Sequence, residues 1–152
     1  MIELMRGGLL MVDVEALVNP VDCVNGEFAE PFCTAFPDNY RSFKSFCDRE
    51  ELRPGIVFVY DLDRRINPRF IVNFPTKRHW KAKSRLDDIE EGLETLVEFI
   101  RRWRIRSIAI PPLGCGSGGL RWDVVEAMIE RTLCPLENVH ILLFSPRRAA
   151  SG

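Results

Sequence analysis

Two short runs limit the choice of fold more than anything else in this chain. Ile56–Tyr60 reads IVFVY and Ser107–Ile110 reads SIAI, continuous rather than alternating in character. A strand with one wet face alternates apolar and polar residues, because successive side chains point to opposite sides. A continuous run suits a strand covered on both faces, as in a sheet packed between two layers of helices. Ile2–Met5, Val14–Asn19, Phe70–Phe74 and Val139–Phe144 have the same short, Val-, Ile- and Phe-rich character and read as further strands.

Helical periodicity fills the gaps between these runs. From about Ser84, the residues Ile89, Leu93, Leu96, Val97 and Ile100 recur at helical spacing, with Asp88, Glu90, Glu91 and Glu94 expected on the solvent side. Ser84 followed by Asp87 resembles a capping box, with Asp in place of Glu or Gln. A second helix is expected from Trp122 to about Leu133, burying Val125, Met128 and Ile129. A third falls within Asp38–Arg49, after Pro37. Asn25–Phe36 has helical character but is interrupted by Pro31. Strands alternating with helices imply an α/β fold, a three-layer α/β/α sandwich with a central mixed β-sheet.

The chain has 152 residues, 46% of them hydrophobic and 28% charged, the composition of an ordinary soluble single domain. A formal net charge of -1 argues against a protein that coats nucleic acid electrostatically, although a local basic patch is compatible with it. No stretch has the pattern of a signal peptide, and no apolar run approaches the roughly 20 residues of a membrane-spanning helix. Cys23, Cys33, Cys47, Cys115 and Cys134 are odd in number and lack C-x-x-C spacing, so free thiols in a reducing cytoplasm are expected, with no metal site.

In such sheets ligands bind beyond the carboxyl ends of the strands. Three stretches fall there: NPVDCVNG (19–26), NFPTKRHW (73–80) and PPLGCGSGGL (111–120). Gly114, Gly116 and Gly119 formally satisfy G-x-G-x-x-G between a strand and a helix. A dinucleotide fold needs several strands after that fingerprint, and here only Val139–Phe144 remains. A Walker loop also fails, since no Gly-Lys-Ser/Thr follows. Glycines can still curve a backbone around an anion, aided by the helix N-terminus near Trp122. The alternative is a tight connection in which glycine only permits positive φ. One or two glycines would serve that purpose, and four within six residues favour phosphate.

Thr76–Arg85 reads TKRHWKAKSR, placing Lys77, Arg78, Lys81, Lys83 and Arg85 close to a helix N-terminus, where the helix dipole disfavours cations. Helix stability does not account for them. A solvated basic loop would, and so would a phosphate-rich ligand, with Trp80 available to stack on a base or sugar. Lys77 lies nearest the strand end. His79 has no visible partner and reads as a structural histidine.

Three segments, DVEALVNPVD, INPRFIVNFPTKRHWKAKSRLDDIEEGLETL and RSIAIPPLGCGSGGLRWDVV, together resemble the macrodomain family. They are most similar to the branch holding the bacterial DNA ADP-ribosyl glycohydrolase antitoxins and the terminal ADP-ribose glycohydrolase. The likeness runs from about Ile2 to Pro146 and implies a single domain over residues 1–146, with 147–152 a short tail. It implies an ADP-ribose cleft in which Gly114, Cys115, Gly116, Ser117, Gly118, Gly119 and Leu120 wrap the diphosphate and distal ribose. It also implies ligand contacts from Asn19, Asp22 and Thr76, and from Val24, Asn25, Gly26 and Glu27 in a first loop. Lys77 of the PTK segment carries over as the catalytic residue. No cofactor, metal, membrane or obligate protein partner is implied.

The sequence departs from the family pattern at several points. Gly8 stands where relatives place an adenine-contacting Asp or Asn, and Asp22 replaces the second asparagine of the strand-end motif. The first ligand loop is shortened to VNGEFAEPF. Gly118 occupies the place of an acidic residue used by the terminal glycohydrolase, with Glu27 or Asp22 as candidate replacements.

The glycosidic carbon of ADP-ribose is electrophilic as oxocarbenium character develops. With its pKa lowered by Arg78, Lys81 and partial burial, Lys77 could attack that carbon as an amine. Kept protonated, it could instead stabilise a leaving group or the phosphates. Both remain open. So do three functions: a hydrolase removing mono-ADP-ribose from a protein acidic side chain or a DNA base, a non-catalytic ADP-ribose reader, and a nucleic-acid-binding module.

Overall fold

The computed structural model describes residues 1–22, 30–49, 53–78 and 82–146. Six strands, β1 (Ile2–Met5), β2 (Ala16–Asp22), β3 (Phe58–Asp61), β4 (Phe70–Lys77), β5 (Ser107–Ile110) and β6 (His140–Phe144), form one sheet in the order β1-β6-β5-β2-β4-β3. Every neighbouring pair is parallel except β3 and β4. Four helices accompany them: α1 (Glu30–Ala35), α2 (Pro37–Asp48), α3 (Leu86–Trp103) and α4 (Trp122–Leu133).

The inner strands divide their apolar residues between two layers, residue by residue. Ala16, Val18, Phe70, Val72, Phe74, Ile108, Ile110, Ile141 and Leu143 face the larger core beneath α3 and α4. Leu17, Ile71, Ala109, Leu142 and Phe144 face the opposite layer with Phe32 of α1. Period-two alternation between two buried layers is why β5 reads as a continuous run, and the expected three-layer sandwich follows from it. Phe43 and Cys47 of α2 pack with Val21 beside β3.

IVFVY behaves differently. Ile56 precedes the strand and is 48% exposed, and β3 is an antiparallel edge strand of half-buried residues ending in an exposed Asp61. An edge strand has one neighbour and thinner cover, so an unbroken apolar run there does not signal burial on both faces.

Three further expectations are corrected. Ser84 does not cap α3: the N-cap is Arg85, with no side-chain cap bond. Asp88 does not face solvent but is buried, with Arg78 donating to both its carboxylate oxygens at 3.2 and 3.3 Å. A carboxylate in the first turn of α3 complements the helix dipole, and the guanidinium satisfies it there. One cation of the basic stretch therefore has a structural use. Pro31 does not break α1 but occupies its second position, where no N–H is required.

Between β2 and β5 the ladder consists of Ala16↔Ile108 and Leu17↔Ala109 alone, while β2 runs on beside β4 to Asp22↔Lys77. The β2–β5 ladder ends at Leu17, and beyond it, outside the carboxyl ends of β2, β4 and β5, lies the place where such sheets hold a ligand crevice.

Candidate active site

Gly114–Leu120 crosses the end of β5 and leads into α4. Its backbone closes on itself: Cys115 N–H donates to Pro112 O at 3.2 Å, Gly119 N–H to Gly116 O at 3.1 Å and Leu120 N–H to Gly114 O at 2.9 Å. Among the described residues, the N–H groups of Gly116, Ser117 and Gly118 make no hydrogen bond. Three successive unpaired amides in a tight turn form a concave donor set suited to an anion. The N-terminus of α4, which has no side-chain cap, follows directly.

The four glycines serve different ends. Gly114 and Gly119 have φ of +73° and +79°, which favours glycine at both. At Gly118 a Cβ would collide with Ser84 Oγ and lie 2.5 Å from Gly114 O. Gly116 has an ordinary φ, and a Cβ there would meet nothing within 4 Å. Folding accounts for three of them. At Gly116 the missing side chain leaves only open space above an exposed turn.

Ser84 lies beneath this loop. Its N–H donates to Gly118 O at 3.0 Å, and its side chain packs against the backbone of Gly114 and Gly118. The residue is 6% exposed, and its Oγ has no partner among the described residues. The local S-x-x-D pattern pointed to a helix cap and concealed this long-range contact.

Lys77, the last residue of β4, reaches across the crevice, and its Nζ donates to Ser117 Oγ at 2.6 Å. Asp22 ends β2 opposite Lys77 in the ladder, next to a register shift at Val21. Thr76 and Asn19 are both buried at the strand ends. Thr76 is buried, with Oγ1 donating to Val21 O at 3.4 Å. Asn19 has no exposed surface, and its Nδ2 donates to Asn73 Oδ1 at 3.0 Å.

Asn73 is a residue the sequence reading passed over, although it was the polar member of an apolar run. It exchanges amide bonds with Asn39 of α2 at 2.7 and 3.2 Å and donates to Phe58 O at 3.2 Å. One buried side chain thus ties β2, β3, β4 and α2 together behind the crevice. Such a network is rigid when satisfied, and only Asn19 Oδ1 within it lacks a partner among the described residues.

Cys115 bonds weakly to Leu113 O at 3.5 Å, and burial pushes its thiol up to about 11. It is a poor nucleophile near neutral pH. Val24, Asn25, Gly26 and Glu27 lie outside the described residues, as do Cys23, His79, Trp80 and Lys81. No described helix is long and apolar enough to cross a membrane.

Known proteins share this arrangement. The macro domain family profile matches residues 18–129, from within β2 to the middle of α4. The DNA ADP-ribosyl glycohydrolase of Thermus aquaticus is 46% identical over 149 residues, which is 96% of this chain and 41% of that protein. The chain therefore spans about two fifths of the curated relatives it matches. The solved macrodomain of Thermus aquaticus DarG gives a TM-score of 0.90, with 96% of this chain and 99% of that one covered at 46% identity. Thermosipho africanus DarTG, solved in complex with ADP-ribose, gives 0.87 at 31% identity, covering 97% of this chain and 43% of the other. The family profile covers most of the chain and the relatives match nearly all of it, so this chain belongs to the macro domain family.

Proposed function

We propose that this chain binds ADP-ribose in the crevice and hydrolytically removes mono-ADP-ribose from a modified DNA base. The observation that carries the reading is Lys77 Nζ at 2.6 Å from Ser117 Oγ, beside the unpaired amides of Gly116, Ser117 and Gly118. These amides suit the diphosphate, and an anchored diphosphate brings the adjoining sugar within reach of the lysine. Hydrolysis breaks the bond between the sugar carbon and the base nitrogen. Water supplies oxygen to that carbon, and the base leaves with a proton.

DNA is favoured over a protein side chain by the identity with the Thermus aquaticus enzyme, whose name specifies DNA. Lys77, Lys83 and Arg85 add cations along the stretch that borders the loop. In this reading residues 1–146 act as one unit, and Lys77 is the catalytic residue.

The test is release of ADP-ribose from a modified oligonucleotide and from a modified protein, alongside calorimetry with free ADP-ribose. Release from DNA that depends on Lys77 supports the proposal. Tight binding of ADP-ribose without release from either substrate would make the chain a reader.

A further inference from the structure

We infer that Lys83 is a second phosphate-binding cation of this crevice, acting opposite Lys77 on the exposed turn. The inference rests on the ADP-ribosyl hydrolase reading and deepens it.

The position of Lys83 is fixed by its neighbour. Ser84 is pinned under the loop by its N–H bond to Gly118 O, so residue 83 must emerge alongside the turn. The side chain then lies over Gly119. A Cβ built on Gly119 would be 3.3 Å from Lys83 Cδ and 3.6 Å from its Nζ. Gly119 therefore leaves room for the lysine stem as well as adopting a positive φ.

Lys83 makes no hydrogen bond or ion pair among the described residues. Arg78 is tied to Asp88, and Arg121 bonds Asp123 at 2.7 Å. Lys83 has no such carboxylate, yet its chain follows the turn. Lys77 bonds the turn at Ser117 and Lys83 lies along it at Gly119, so two ammonium groups stand beside the turn whose amides lack acceptors among the described residues. Unpaired cations converging on unpaired donors raise the local concentration of an anion. A lysine suits this role because its ammonium serves as a compact point charge for a phosphate.

The ligand chemistry is a phosphate group. It could belong to the diphosphate of ADP-ribose or to the strand next to the modified base. Lys83→Met and Lys83→Arg, compared with the unaltered chain, separate the two. Calorimetry with free ADP-ribose reads the first source. Release from a modified long single strand and from a modified dinucleotide, each at two salt concentrations, reads the second.

Lys83→Met should weaken one arm by about fivefold, the order of a partly exposed ion pair, and Lys83→Arg should restore most of it. Loss with free ADP-ribose assigns the diphosphate. Loss confined to the long strand, with a logarithmic salt slope smaller by about 0.7, assigns a strand phosphate. An unchanged thermal midpoint excludes a merely structural role. Lys83→Met matching the unaltered chain in every arm overturns the inference alone. Failure of the unaltered chain to bind ADP-ribose removes the hydrolase reading and this inference with it.

Discussion

Lys77 Nζ and Ser117 Oγ, forty residues apart in the chain, meet at 2.6 Å across the crevice between β4 and the glycine turn. The bond joins the end of one strand to the exposed crest of a loop that follows another. It holds the amine beside the turn in which the amides of Gly116, Ser117 and Gly118 have no acceptor among the described residues.

Replacing Lys77 by Ala should therefore separate chemistry from binding. Release from ADP-ribosylated DNA is expected to fall by about 100-fold or more, the scale of losing one aligned electrostatic or nucleophilic group. Affinity for free ADP-ribose should change far less. Reductive trapping with borohydride decides the role of the amine: a covalent sugar adduct on Lys77 means attack, and its absence with activity intact means electrostatic stabilisation.

Gly116 and Gly118 should respond in opposite ways to alanine. Gly116→Ala meets nothing within 4 Å, so the thermal midpoint should hold while ADP-ribose affinity drops. Gly118→Ala collides with Ser84 Oγ and approaches Gly114 O to 2.5 Å. It should lower stability by about 1–3 kcal/mol through overpacking. Equal loss of stability in both variants would refute this division.

In α3, Gly92→Ala sets helix propensity against packing. Alanine is worth about 1 kcal/mol over glycine in a helix interior. Its Cβ would sit 2.7 Å from Phe74 Cε1 and 3.0 Å from Cε2, in a wholly buried ring. Overpacking of that kind costs about 1–3 kcal/mol or more, so net destabilisation is expected in urea melts. A stabilised variant would mean the ring can move aside.

Ser84→Ala removes a buried hydroxyl that has no partner among the described residues. Loss of an unsatisfied polar group should leave the thermal midpoint unchanged or raised, since desolvating it costs about 1–3 kcal/mol. A clear fall would reveal a hydrogen bond at Ser84 Oγ, such as one to a buried water.

Cys115 supplies a pH test. Its thiol is pushed up to about 11 by burial, so the folded chain holds this proton where the unfolded chain has lost it. The associated stability is full below the unfolded value of 9.0 and is lost as pH rises through 11. Alkylation of Cys115 should be slow at pH 8 and accelerate only in strong alkali, whereas the exposed Cys134 reacts readily.

The sequence was most legible where packing is regular. β1, β5 and α4 have the bounds their apolar patterns indicated. β2 begins later than expected, at Ala16, and both β2 and β4 run further, to Asp22 and Lys77, because Pro20, Pro75 and Thr76 interrupt the apolar pattern at the strand ends. Lys77 and the glycine turn could be read as strand-end features, but the amide bonds among Asn19, Asn39 and Asn73 could not, since no local spacing records a contact between α2 and β4.

The pairing of β1 with β6 has a consequence for synthesis. Ile2 lies in register with Ile141 and Met5 with Phe144, Ile141 N–H donates to Met1 O at 2.9 Å, and the amino group of Met1 donates to Val139 O at 2.8 Å. β1 pairs only with β6, far along the chain, so until β6 leaves the ribosome β1 has no ladder to join. β6 in turn would be left with a bare edge if residues 2–5 were removed. Tags that burden the first residues, or deletions that trim them, should therefore impair the final closure of the sheet and leave an aggregation-prone border on β6.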